Sequence, residues 1–145
     1  MRYQKDFDPN RRNRLGFALS DITQHLPGAF LIYKADPEND QILFANQELV
    51  TYAGCKNLDE FMQYSKHSFR NLIRSDEQEA VEKSIWQQIQ SQAAGTNDFV
   101  QFHFVKKDGS THPVLDHGRI VESNYYGNVF YVLIMDCQLL DEHYD

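Results

Sequence analysis

The C-terminal part of the chain constrains the fold most. Residues 98–105 (DFVQFHFV), 110–122 (STHPVLDHGRIVE) and 128–136 (NVFYVLIMD) are three β-type runs in succession. Turn signals at KKDG and SNYYG separate them, and no helical pattern intervenes. Strands joined this closely must pair antiparallel, because a parallel crossover needs a dozen residues or more. Two further strands are read upstream. AFLIYKA (29–35) and QILFA (41–45) flank DPEND (36–40), which is dense in turn formers.

Helical patterns fill the remaining spans. Asn46 stands where its side chain can cap the free amides of QELVTYAG, which Gly54 ends. Asn57 with Glu60 has capping-box-like spacing and opens a short helix carrying Leu58, Phe61 and Met62. Residues 65–74 read as an irregular connector with one helical turn. Residues 75–92 form the clearest helix, with Ser75 and Gln78 as the box and Val81, Ile85 and Ile89 as one stripe.

Near the start, Leu15, Leu19, Ile22 and Leu26 recur at i, i+4, i+7 and i+11, which predicts an amphipathic helix over residues 13–26. Pro27 and Gly28 end it. This stripe is the candidate dimer helix; packing back on its own sheet is the alternative. Strands thus segregate from helices. The expectation is an α+β fold, a five-stranded antiparallel sheet with helices on one face, preceded by the N-terminal helix. The division expected is arm and helix over 1–26, domain over 27–137, and tail or linker to an output domain over 138–145. Neither GxGxxG nor GxxxxGK[ST] is present.

Fourteen basic against 21 acidic residues leave a formal charge of −7, a field that repels phosphate backbones, so no nucleic-acid partner is expected. Arg2, Lys5, Arg11, Arg12 and Arg14 read as a solvated arm. Cys55 and Cys137 lack metal or redox spacing, consistent with a reduced, cytoplasmic protein. No apolar run approaches the ~18 residues of a membrane span, so no membrane insertion is expected.

The stretch KKDGSTHPVLDHG (106–118) concentrates histidines and aspartates. With Asp108-Gly109 as a two-residue turn, Lys107 faces Ser110. Alternation then places Gln101, His103, Val105, His112, Val114 and Asp116 on one face. Val100, Phe102, Phe104, Pro113, Leu115 and His117 take the other. His112 and His117 cannot share a metal in that register, and no metal site is expected. His117 would lie on the apolar face with Phe102, Phe104 and Leu115.

Element order and several strings together resemble PAS sensory domains. LPGAFLIYKAD, QILFANQELVTYAGC, LIRSDEQEAVEKSIW, VKKDGSTHPV and NVFYVLIMD carry the resemblance, which runs from about residue 26 to 136. Asn46 matches a position where the family often has Asn. The wording is most similar to PAS modules upstream of bacterial diguanylate cyclase domains. Three departures stand out. Arg74-Ser75-Asp76-Glu77 replaces the common His-Pro-Asp-Asp, Pro113 stands where Trp is frequent, and Asp136-Cys137-Gln138 replaces the closing Asp-x-Thr.

The resemblance implies a non-catalytic sensory and dimerisation module, one piece of a larger signalling protein. Its small-molecule space would lie between sheet and helices, with His117, Tyr33, Tyr52, Phe102, Phe104 and Leu115 as pocket candidates and Asp136 as the signal exit. Family haem binders use a His on the long helix, absent from residues 75–92. Family flavin binders use an Asn-Cys-Arg-Phe string, whereas Cys55 stands in YAGCKN. Haem and flavin are therefore disfavoured, and a small organic ligand stays open. The expected partner is a second copy. Two other readings are a pure interaction scaffold and a small cone-fold isomerase using Asp116 with Tyr131, although the alternation above turns Asp116 outward.

Overall fold

The structure is a computed structural model and describes residues 11, 16–91 and 95–139. Helix α1 (Leu19–His25) leads into β1 (Ala29–Lys34) and β2 (Ile42–Ala45). Helices α2 (Gln47–Tyr52) and α3 (Leu58–Ser65), a 3-10 turn (Phe69–Leu72) and α4 (Gln78–Ser91) follow. The chain closes with β3 (Asn97–Val105), β4 (Thr111–Ser123) and β5 (Gly127–Asp136). The five strands form one antiparallel sheet in the order β2-β1-β5-β4-β3.

The helices cover one face of this sheet. Leu31 and Tyr33 of β1, Phe102 and Phe104 of β3, Val114 of β4, and Phe130, Val132 and Ile134 of β5 point into the interior. They meet Leu49, Val50, Phe61, Phe69, Leu72, Val81 and Ile85 from the helical layer. Burying side chains of this size, at roughly 1.5–3 kcal/mol each, drives the closure of sheet on helices.

Asn46 joins the two layers. Its Oδ1 accepts from Leu49 N (3.1 Å), capping α2, and from Phe30 N (3.0 Å) in β1. Its Nδ2 donates to Gly28 O (2.8 Å). The Asn57 side chain caps α3 by accepting from Glu60 N, but the Glu60 carboxylate reaches Lys107 Nζ (2.6 Å) instead of closing the box. The long helix begins at Gln78, later than the Ser75 start expected from its spacing. Gln78 Nε2 donates to Arg70 O and Ile73 O, and Glu77 Oε1 accepts from His103 N (2.7 Å). These side chains anchor the segment to its neighbours, so residues 75–77 form a turn.

Helix α1 covers only part of the span read from its stripe. Leu15 lies outside the described residues, as does any structural account of the Leu19 side chain. Ile22 and Leu26 are exposed. No helix among the described residues is long and apolar enough to cross a membrane.

Candidate functional site

The β3–β4 hairpin decides which side chains enter the interior. Lys106 N donates to Ser110 O and Gly109 N donates to Lys106 O, so three residues, Lys107 to Gly109, form the tip. Asp108 Oδ1 accepts from Ser110 N and Oγ, and Gly109 holds φ +87°, open to glycine without strain. A three-residue loop closed by a left-handed glycine is a common hairpin alternative to the two-residue turn expected from Asp-Gly.

One residue of difference exchanges the faces of β4. Phe102 pairs with Val114, Val100 with Asp116 and Phe99 with His117. His117 and Leu115 therefore stand on the outer face, which corrects their expected place beside Phe102 and Phe104. His117 stacks on Phe99 with ring centres 4.3 Å apart, and its Nε2 hydrogen-bonds Asn97 Oδ1 at 3.0 Å. Tyr131 also faces outward and is exposed, so it cannot act with Asp116 across the core.

The same shift carries Asp116 inward. Asp116 and Asp98 are each only 1% exposed. Asp98 pairs with Gly118, two residues along β4 from Asp116, which makes the two acids diagonal neighbours on the inner face. Asp98 Oδ2 and both Asp116 oxygens have no hydrogen-bond partner among the described residues. Burial pushes the Asp98 carboxyl up to about 6. Burial, then the neighbouring Asp98 charge, pushes Asp116 well above the ordinary carboxylate range. Burial and the charges of Asp116, Asp98, Asp40 and Glu82 likewise raise Tyr33.

Gly118 makes this arrangement possible through space rather than backbone freedom. A Cβ there would meet Asp98 Oδ2 at 2.6 Å. Gly118→Ala is expected to destabilise the domain by about 1–3 kcal/mol, the usual range for overpacking, measured by chemical denaturation. A neutral result would show that Asp98 is free to move aside.

Around the pair the interior is aromatic. Tyr33 stacks on Phe69 at 4.2 Å, and Trp86 meets Phe130 edge-on at 5.6 Å. A cavity of about 20 Å³ beside Tyr33 is bounded by Lys34, Asp36, Pro37, Asp40, Phe69, Glu82, Ile85 and Trp86. It is large enough for one water-sized group. No group of three or more metal-ligating side chains occurs among the described residues.

A second cluster sits where β5 ends. Tyr52 packs edge-on against Phe104 and its hydroxyl donates to Asp136 Oδ2 at 2.7 Å. Asp136 Oδ1 accepts from Gln138 N and Leu139 N, holding the turn that follows. Burial alone would raise the Asp136 carboxyl; these bonds outweigh it and hold the group below its ordinary value. Of the pocket candidates, Tyr33, Phe102 and Phe104 face the interior, while Tyr52 belongs to this exit cluster. Tyr52→Phe is expected to cost about 1–2 kcal/mol, a hydrogen bond to a charged acceptor, and to raise the Asp136 titration midpoint, read by NMR.

Asp98 and the inward Asp116 were not legible from residue types alone. The available signal was Gly118, since glycine inside a strand marks a close approach of neighbouring groups.

The sequence matches no protein-family model, and no curated protein is significantly similar to it. Solved structures do match the fold. The PAS domain of an HTR-like protein from Haloarcula marismortui superposes with a TM-score of 0.60 at 17% identity, over 81% of this chain and 88% of that one. The PAS domain of a protein from Colwellia psychrerythraea gives 0.62 at 11% identity, over 81% and 92%. A LOV protein from Rhodobacter sphaeroides gives 0.61 at 14% identity, over 81% and 64%. The five-stranded sheet with helices on one face is the fold of PAS domains.

Proposed function

We propose that this domain is a sensory and regulatory module of the PAS type, without catalysis of its own. In this reading it works as a homodimer in the cytoplasm of a bacterial signalling protein and controls an attached output domain such as a diguanylate cyclase. The observation that carries the reading is the buried acid pair on the inner face of a PAS-fold sheet, three of whose four oxygens have no hydrogen-bond partner among the described residues. Buried polar groups are almost always paired, and exceptions concentrate at functional sites.

A ligand or bound state would alter packing between sheet and α4. The change would travel through the sheet to α1 and to Asp136, and bias how two copies are arranged. Exposed Ile22 and Leu26 on α1, with Phe99, Tyr131, Leu133 and Met135 on the outer sheet face, support a second copy as the partner. These side chains form the apolar surface that such a contact would bury.

Native mass spectrometry of protein purified from its own host tests the reading. The expected spectrum is a dimer that carries or exchanges a small organic molecule. A monomer at all concentrations, with no bound molecule, would sink it. A dimer with no ligand would reduce the domain to an interaction scaffold.

Asp116 also meets one requirement of a small isomerase, a carboxylate raised by an apolar site, with Tyr33 as the neighbouring hydroxyl. Such an enzyme needs a substrate cavity reaching that carboxylate, whereas both Asp116 oxygens are enclosed. The regulatory reading therefore leads.

A further inference from the structure

We infer that Asp98 and Asp116 together form a proton-binding site whose discharge loosens the inner face of the sheet and is felt at the Asp136 exit. The geometry gives both halves. The acids are diagonal neighbours on β3 and β4, sealed from solvent, with three oxygens lacking any partner among the described residues. Two like charges held this close and buried resist joint ionisation, so the pair keeps a proton longer than an exposed aspartate and titrates as a unit.

Among the described residues, no basic side chain acts on either carboxyl. Tyr33 of β1, a neutral hydroxyl, feels both acids; Phe130, Val132 and Ile134 of β5 and Val81 and Ile85 of α4 belong to the same apolar core. The charged groups acting on Tyr33 besides the pair are Asp40 from the β1–β2 turn and Glu82 from α4, both acidic. Arg70 is already bonded to Glu82 and Gln78. Losing the last proton therefore adds a second buried negative charge that no described basic group offsets at either acid.

The path to the exit is short. Asp116 pairs with Ile134, and Val114, the next inward residue of β4, pairs with Asp136. Asp136 in turn holds Tyr52 and the following turn. An opening of β4 at Asp116 displaces the strand that carries the exit carboxylate. The consequence for signalling rests on the regulatory reading above; the proton chemistry does not.

Carboxyl carbon NMR of the full chain, titrated from mildly acidic to mildly alkaline pH, tests the inference. Asp98→Asn and Asp116→Asn identify the two signals. The expected result is a first midpoint near 6, above the ordinary value of about 4, with the second higher still. Tyr52 and Asp136 resonances should move in the same steps. Midpoints near 4 for both acids would overturn the proton site. High midpoints that leave Tyr52 and Asp136 unmoved would overturn the switch. If either Asn variant fails to fold, the wild-type titration alone decides. Neither failure touches the ligand and dimer measurements, which test the regulatory reading separately.

Discussion

Asn46→Ala is expected to lower the unfolding free energy by roughly 3 kcal/mol, visible as a fall of about 10 °C in the melting temperature. Asn46 is 2% exposed, and its side chain makes three hydrogen bonds, to α2, to β1 and to the bend at Gly28 before β1. Losing an N-cap alone costs about 1 kcal/mol. Here Phe30 N and Gly28 O also lose a partner, and each buried orphan adds ~1–3 kcal/mol. Asn46→Asp keeps both accepted bonds and loses only the donor to Gly28 O, so it should fall between wild type and Ala. A cost below about 1 kcal/mol for the Ala variant would show that water replaces these bonds and that Asn46 is not the joint between the layers.

Stability should also decline as pH rises through the mildly acidic range, opposite to common acid denaturation. Asp98 titrates at about 6 in the folded chain and near ~3.9 when unfolded. Below the lower value both states hold the proton. Between the two values the unfolded chain releases it while the folded chain keeps it, so unfolding gains. A gap of about two units at ~1.36 kcal/mol each gives ~3 kcal/mol lost by pH ~7. Asp116 is shifted the same way and extends the decline upward.

Glu77 and Asp136 work in the other direction. Burial opposes their ionisation, yet their hydrogen bonds hold both below the ordinary range. Their stabilisation is present above ~4.5 and is lost as pH falls further. The maximum should therefore lie near pH ~4–5. Urea midpoints measured at constant slope across pH check this. Asp98→Asn and Asp116→Asn should each flatten the decline. A wild-type curve that climbs steadily to neutral pH would remove the basis for it.

Much of the fold was readable because its signals are local. Asn46 and Asn57 precede apolar stripes and do cap α2 and α3. The three terminal β runs with their turn residues dictated an antiparallel sheet. The interior site was harder, because it depends on parity. Asp108-Gly109 is compatible with a two- or a three-residue tip, and the choice rests on Asp108 folding back onto Ser110. Val114 beside Leu115 in β4, and the unbroken apolar run of β5, give no clean alternation to decide it. A single residue in a turn thus exchanged His117 for Asp116 as the side chain facing the core.

The long helix starts late for a related reason. Its first residues bond to β3 and the 3-10 turn, tertiary contacts that a local spacing rule does not contain.

The chain has one tryptophan, and its position gives the interior an optical reporter. Trp86 stands on α4 with its ring against Phe130 and beside the small cavity that Tyr33 closes. Its emission should shift to longer wavelength whenever α4 parts from the sheet and water reaches the indole. Excitation transferred from the adjacent tyrosine should weaken at the same moment. Packing between helix and sheet can therefore be followed in the unlabelled protein, in real time, by intrinsic fluorescence.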